Sequence, residues 1–350
     1  MKAVRLGTTD VGPGHPPYII AEIGSNHNGD MALCRKLIDA AADAGAHAVK
    51  FQSWTDKSLI AREEYERNTE YSDKKKHFGS LLDMVRSYQF TEEQHREALA
   101  HCRARGITFC STPFSEPEAD LLEELDAPFF KIASMDVAYL PFLKYVARKN
   151  RPIVISTGMS SLAEIEQAVE AVRSEGNNEI VLLHCISIYP PEYDTIHLRN
   201  IEMLQQTFGV PVGFSDHSLG IAIPLAAITL GSCVIEKHFT LDKNMPGWDH
   251  AISADPAEMR AITTEGRNIF TALGDHCRTV SPAEMEKRKK FRRSLVARTA
   301  LPQGHVLTEA DVTAKRPGTG ISPAEQGYAI GRTLAHPVDE DQVLAWADLR

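Results

Sequence analysis

Residues 128–157 read PFFKIASMDVAYLPFLKYVARKNRPIVIST: a short apolar run (Pro128–Ala133), an amphipathic stretch of helical period (Tyr139–Arg148) and a second short apolar run (Pro152–Thr157). A strand that crosses to a parallel neighbour needs a connection of this length, usually a helix, so the stretch predicts one βαβ unit. The alternation continues in both directions. Further runs rich in Val, Ile and Phe are Tyr18–Gly24, His47–Ser53, Ile107–Thr112, Glu179–Ile186, Val210–Ser215 and Cys233–Phe239. Amphipathic stretches separate them at Met31–Ala44, Glu92–Arg105, Glu118–Leu125, Leu162–Arg173, Leu198–Phe208, Ile221–Leu230 and Pro256–Leu273. Eight strands, each followed by a helix, predict an α/β fold of the (β/α)8 TIM-barrel type, closed by right-handed crossovers with helices outside. An open doubly wound sheet would want a glycine-rich phosphate turn after its first strand, and GSNHNG at 24–29 does not match one.

A barrel of this kind uses roughly 250 residues, and the chain has 350. The pattern changes near Gly274. We therefore expect a catalytic barrel over residues 1–275, a charged linker over 276–293 that includes a helix at Pro282–Lys290, and a small β-rich module over 294–350. In that module short strand-like runs (SLVART, HVLT, GRTLAHPV) alternate with turn signals (PQG, RPGTG). The connection from Trp54 to Gln89 is long and highly charged, which predicts a lid over one face.

The formal net charge of -9 argues against nucleic acid or an anionic membrane as partner. The basic run Lys287–Arg293, broken only by Phe291, reads first as a solvated helix end. No signal-like or membrane-spanning apolar segment is present, so a cytoplasmic location is expected. Six scattered cysteines read as reduced, mostly buried small hydrophobes.

In a parallel barrel, chemistry sits where strands run into the following loops. Those ends carry Glu22, Lys50 with Gln52, Ser111 with Thr112, Lys131 with Ser134, Ser156 with Thr157, His184 with Ser187, Ser215 with His217, and Glu236 with His238. Lys50 and Lys131 would share one mouth, where unpaired ammonium groups repel each other and lose hydration. A bound phosphate or carboxylate would resolve that; internal salt bridges to Glu22 or Glu236 are the alternative. The hydroxyls of STPF, KIAS, STG and SDH offer neutral donors to the same anion, or act as caps and turns. His217 and His238, at the ends of strands seven and eight, can approach one divalent ion and leave positions open for substrate. Their alternative is a pair of hydrogen-bonded core histidines, or a general base. Asp249 and His250, in PGWDHAIS, lie in another loop of the same face and could meet sugar hydroxyls or solvent.

Taken in order, the blocks AEIGSNHNGD, AVKFQSW, STPF, KIAS, STGM, LLHCISIYP, GFSDHSLG, VIEKHFTLD, PGWDHAIS, RRSLVA and KRPGTGIS make the chain resemble the sialic acid (N-acetylneuraminate) synthase family over nearly its whole length. The resemblance implies a barrel followed by an antifreeze-like (SAF) domain, and a domain-swapped homodimer in which that domain covers the partner's active site. It implies condensation of phosphoenolpyruvate with an amino-sugar aldose. Carried over by motif, Lys50, Thr112, Lys131, Ser134, Ser156, Ser187 and Ser215 would hold phosphoenolpyruvate. His217 and His238 would hold a divalent metal, usually Mn2+, with Mg2+ or another divalent ion as the alternative. Glu22, Tyr189 and Asp249 would serve the sugar or the chemistry, and Arg316 would reach the amino sugar from the partner chain.

Three positions depart from the family pattern: Asp136 in KIASMD where Glu is usual, Ser187 where Asn is usual, and Trp248 in place of the Pro of PGPDH. Asp136 and Trp248 place the acceptor in question among N-acetylmannosamine, a diacetamido trideoxy hexose and other aldoses. Asp136 or Glu22 is expected to position or deprotonate water. A Schiff-base aldolase using Lys131 or Lys50, and a non-catalytic sugar-acid-binding protein, are the competing readings.

Overall fold

The alternating runs fold as parallel strands separated by helices in the computed structural model, which describes residues 1–72 and 77–350. The chain divides into two units, Met1–Gly274 and Asp275–Arg350.

In the first unit the barrel strands are β1 (Tyr18–Gly24), β2 (Ala48–Ser53), β3 (Thr108–Pro113), β4 (Phe130–Ile132), β5 (Ile153–Ser156), β6 (Ile180–Cys185), β7 (Val212–Asp216) and β8 (Val234–His238). They form one eight-stranded parallel sheet in the order β3-β2-β1-β8-β7-β6-β5-β4, with β3 and β4 side by side where the sheet curls round to a nearly closed barrel. The β8 to β1 ladder joins the last strand to the first: His238 pairs with Glu22, and Glu236 with Ile20. On the other side of β1, Glu22 pairs with Lys50.

Successive side chains of a strand point to opposite faces, and this alternation sorts the core into two. Ile19, Ala21, Ile23, Val49, Phe51, Ile153, Ile155, Val212, Phe214 and Ile235 face the helices and pack with Leu37, Ile38, Leu122, Val169, Leu204 and Ile262. Tyr18, Ile20, Ala48, Cys110, Phe129, Val154, Val181, Leu183 and Val234 fill the barrel interior. An N-terminal hairpin, Val4–Leu6 with Thr9–Val11, adds Val4, Leu6 and Val11 to the interior cluster. Its turn lies near Thr108 and Pro128, at strand starts, so it closes the N-terminal end of the barrel.

The helices start where the chain supplies caps. Thr91, Ser161 and Asp255 each accept a backbone N–H of the first turn, and Gln94, Glu164 and Glu258 bond back to the cap residue. The Trp54 to Gln89 connection is more than an open loop: helices Arg62–Arg67 and Leu81–Tyr88 and a pair of short strands build its described part, which has a core of Trp54, Leu81, Met84, Val85 and Tyr88. The expected lid extends into residues 73–76, which lie outside the described residues.

In the second unit Ser294–Ala297 pairs antiparallel with Val312–Lys315, and single bridges (Val296 to Val343, Leu301 to Val338, Leu334 to Leu349) tie the remaining turns together. Its small core is Leu295, Ala297, Leu301, Leu307, Val312, Ile321, Leu334, Val338 and Leu344. The stretch expected as a linker is compact with this module: its helix, Pro282–Phe291, accepts Gly318 N–H at the carbonyl of Lys289 (2.9 Å). The basic run occupies the exposed end of that helix.

Candidate active site at the strand C-termini

The alternation that fills the barrel interior with apolar side chains changes chemistry two residues further along each strand. Tyr18 and Ile20 are followed inward by Glu22, Ala48 by Lys50, Cys110 by Thr112, Phe129 by Lys131, Val154 by Ser156, Leu183 by Cys185, and Val234 by Glu236 and His238. All of these are buried, and they form one polar layer.

Two lysines and two carboxylates are its centre. Lys50 Nζ lies 2.7 Å from Glu22 Oε2 and 4.0 Å from Glu236 Oε1, while Lys131 Nζ lies 3.7 Å from Glu236 Oε1. Barrel closure places β8 beside β1 and within reach of β4, so the internal salt bridges weighed as the alternative are present. Lys50 also donates to Thr112 Oγ1 (3.3 Å), Lys131 to Ser156 Oγ (2.6 Å), Ser215 Oγ to Glu236 Oε1 (3.1 Å) and Gln52 Nε2 to Glu22 Oε1 (2.7 Å).

The four charges are not equally easy to keep. Burial, helped by neighbouring Glu236, pushes the Glu22 carboxyl up to about 7 against the pull of Lys50. Burial works against Glu236 too, but Lys131 and Lys50 outweigh it and hold that carboxyl below its ordinary value. Burial likewise opposes the Lys50 ammonium, yet Glu22 and Glu236 raise it, whereas Lys131 is held low chiefly by burial.

Beside Lys131 the chain leaves a small-residue cradle. Gly158 N–H donates to Ser134 Oγ (3.0 Å), and a Cβ on Gly158 would stand 2.3 Å from Ser187 Oγ and 2.8 Å from Ser134 Oγ. A side chain there would push both hydroxyls aside. Asp136 ends the short 3-10 turn that begins at Ser134; its Oδ2 is buried without a hydrogen-bond partner among the described residues, and burial pushes the carboxyl up to about 6.

His217 and His238 stand side by side with ring centroids 5.4 Å apart, and Tyr189 stacks at 4.0 Å on His217. The Nδ1–H of His217 donates to the carbonyl of Ile186 (2.8 Å), which orients the ring; burial opposes a charge on it, but the hydrogen bond and charge of Cys185 outweigh burial and raise the imidazole above its ordinary value. Burial, reinforced by His217, holds His238 well below the ordinary imidazole value, so it is neutral. Its Nδ1 is buried without a hydrogen bond among the described residues, 3.7 Å from Asp249 Oδ2. A neutral imidazole with an unsatisfied nitrogen beside an oriented second imidazole supplies nitrogen donors of the kind a divalent cation accepts. Among the described residues no group of three or more His, Cys, Asp or Glu side chains is placed to hold a metal ion, so an ion on these two imidazoles would need its remaining ligands from outside the chain. The loop bearing His217 is anchored from behind: Lys237 Nζ reaches Asp216 Oδ2 and the Ser218 carbonyl, both at 2.6 Å.

The structure thus brings Glu22, Lys50, Thr112, Lys131, Ser134, Asp136, Ser156, Ser187, Tyr189, Ser215, His217, His238 and Asp249 to one end of the barrel. Arg316 belongs to the second unit, where its guanidinium lies 4.9 Å over the ring of Phe291. Three other polar residues named at strand ends turn away. His184 Nε2 donates to the Ile196 carbonyl (2.6 Å), Ser111 bonds Ser53 (2.6 Å), and Thr157 Oγ1 bonds the Leu183 carbonyl (3.0 Å). His250 is buried between Thr240 Oγ1 (2.7 Å) and Asn28 Oδ1 (3.3 Å), where it ties two loops together.

Cys185 is the residue that reading by composition missed. Burial raises Cys34, Cys102, Cys110 and Cys233, in keeping with inert hydrophobes. In Cys185 burial is outweighed by a hydrogen bond to His217 and by the charges of His217 and Lys131, which lower its thiol. Its signal was parity: counting by twos from Val181 and Leu183 puts Cys185, not His184, in the mouth.

The chain is similar to known proteins over most of its length. The family model described as the NeuB family matches residues 37–278, and the SAF domain model matches residues 292–350. N,N'-diacetyllegionaminic acid synthase of Campylobacter jejuni is 41% identical over 332 residues, covering 93% of this chain and 98% of that protein. Human N-acetylneuraminate-9-phosphate synthase is 35% identical, covering 95% and 93%. Among solved structures, the N-acetylneuraminic acid (sialic acid) synthetase of Leptospira borgpetersenii, in complex with citrate, superposes with a TM-score of 0.74 at 32% identity, covering 82% of this chain and 95% of that one.

Proposed function

This chain belongs to the NeuB family, and on that premise we propose that it is a synthase condensing phosphoenolpyruvate with an amino-sugar aldose and water to a nonulosonic acid and phosphate. The observation that carries this reading is the cradle of Ser134, Gly158 and Ser187 beside Lys131 and Ser156, which suits a phosphorylated anion, next to the two imidazoles. Lys50, Thr112 and Ser215 complete the contacts to phosphoenolpyruvate. The cluster is charge-balanced as it stands, and a protonated Glu22 would leave it net positive for the incoming anion, which its value of about 7 makes accessible near neutrality.

C3 of phosphoenolpyruvate forms the carbon–carbon bond to the aldehyde carbon, water adds at C2, and phosphate leaves with its bridging oxygen by C–O cleavage. His217 and His238 would hold the divalent metal, Mn2+ in the first instance, which would supply Lewis acidity to the aldehyde oxygen. Asp136, or Glu22 when it is ionised, both raised by burial, would position the water and take its proton. Asp249, 3.4 Å from Ser25 Oγ, and Tyr189 would orient the sugar. The loops after β4 to β7 expose Met135, Tyr139, Met159, Ile188, Tyr189 and Leu219 around the mouth. An apolar rim of this kind supports a homodimer in which a partner's SAF domain covers the site and supplies Arg316. No helix among the described residues is long and apolar enough to cross a membrane; a cytoplasmic location accords with that and with a phosphoenolpyruvate substrate.

The test is phosphate release from phosphoenolpyruvate over a panel of aldoses with Mn2+, and the product mass. Phosphate release that depends on an aldose, stops with chelator and returns with Mn2+, together with loss of Mn2+ binding by calorimetry in His217→Ala and His238→Ala, is the expected result. Full activity in a verified metal-free sample would remove the metal from this reading. One observation favours a second reading: the lowered Lys131 is what a Schiff-base aldolase needs. Borohydride trapping of pyruvate on Lys131 without phosphate release would decide for it.

A further inference from the structure

The loop after β8 carries an aromatic side chain whose backbone is held on both sides while the ring is left in solvent. Asn28 Nδ2 donates to the Pro246 carbonyl (2.9 Å). Gly247 has φ +155, and a Cβ there would stand 2.5 Å from His250 and 2.6 Å from Asn28 Oδ1, so only glycine packs the loop so tightly against the loop after β1. On the far side Asp249 is half-buried near His238 and Ser25. Between these anchors Trp248 is 42% exposed, and its indole meets the edge of Tyr71, from the connection after β2, at a centroid distance of 6.5 Å and 76°. A large apolar ring is thus presented one residue from a carboxylate that reaches the imidazole pair.

We propose that Trp248, backed by Tyr71, is the specificity-determining wall of the acceptor site, and that it selects an amino aldose whose terminal carbon is a methyl over one with a free terminal hydroxyl or a phosphate. The inference rests on the synthase reading above and names its substrate class. An indole face attracts C–H groups of a sugar and offers no charge to a phosphate. One methyl or methylene against an apolar surface is worth roughly 10- to 200-fold in kcat/KM. Because the backbone of Pro246 and Gly247 is pinned, the ring is pre-positioned and little ordering accompanies binding.

The experiment compares kcat/KM for 2,4-diacetamido-2,4,6-trideoxymannose, N-acetylmannosamine and N-acetylmannosamine 6-phosphate in the full-length protein, Trp248→Ala and Trp248→Phe. The wild type should prefer the trideoxy sugar by about 10-fold or more. Trp248→Ala should lose that preference through KM for the aldose, with KM for phosphoenolpyruvate unchanged, and Trp248→Phe should restore most of it. Apart from turnover, the trideoxy sugar should change the protein's tryptophan emission, and the change should vanish in Trp248→Phe. A preference that survives Trp248→Ala, a wild type that favours the 6-phosphate, or a KM for phosphoenolpyruvate that rises with the aldose KM would overturn the wall while leaving the synthase reading in place. Absence of phosphate release with every aldose would overturn both.

Discussion

The lower and upper halves of the barrel interior are built from the same strands, two residues apart, and they do opposite things. Ile20, Ala48, Phe129, Val154, Leu183 and Val234 form a dry layer, whereas the next inward positions, Glu22, Lys50, Lys131, Ser156, Cys185 and Glu236, form a buried charged one. The lower layer gains from every apolar atom it removes from water. The upper layer bears desolvation of four charged groups, offset by mutual pairing, and obtains shifted protonation states in return. The contrast locates stability in one layer and chemistry in the other.

The contrast breaks most severely at Lys131. Lys131→Met leaves Glu236 with one cation fewer, and it should lower stability by about 3–5 kcal/mol and phosphate release per folded molecule by at least ~10²-fold; urea unfolding and single-turnover assays read the two separately. Adding Glu236→Gln should recover most of the stability and none of the activity. In the lower layer Leu183→Ala should cost about 2–5 kcal/mol by leaving a cavity, while kcat measured on folded protein stays near wild type. A kcat loss comparable to that of Lys131→Met would show that stability and chemistry are not divided between the two layers.

Asp136 sharpens the comparison at the smallest scale. Its folded carboxyl is raised from 3.8 to about 6, so the folded state binds that proton more tightly than the unfolded chain does. Its contribution to stability is present below pH 3.8 and is lost as pH rises towards 6. Asp136→Asn should therefore flatten the decline of stability across that window and gain about 1 kcal/mol at pH 7, a figure reduced for partial exposure. Denaturant midpoints at pH 4, 5, 6 and 7 measure it, and an unchanged pH profile would remove Asp136 from the perturbed set.

Much of this was legible in the chain because a parallel barrel is a local code repeated. Each βα unit is written in contiguous residues, as in 128–157, and strand period sets which side chains face inward, so Lys50, Lys131, His217 and His238 could be named from their places at strand ends. Parity would have gone further, separating Cys185 from His184 and Thr112 from Ser111, since a shift of one residue moves a side chain through the wall.

The sequence by itself therefore determined the order of strands and helices, the polar residues at their C-terminal ends and the separate small module at the end of the chain. Only the tertiary structure decided how those ends meet. Lys131 and Glu236 are far apart in the chain and become partners because the sheet curls round on itself, and the cradle at Gly158 exists only once Ser134 and Ser187 flank it. Pairing across a closed barrel depends on distances that no local pattern carries, and the protonation state of each buried group depends on that pairing. For the imidazoles, the sequence supplied two histidines at neighbouring strand ends, and the fold supplied what distinguishes them: a carbonyl that orients His217 and, among the described residues, a buried nitrogen on His238 without a hydrogen bond.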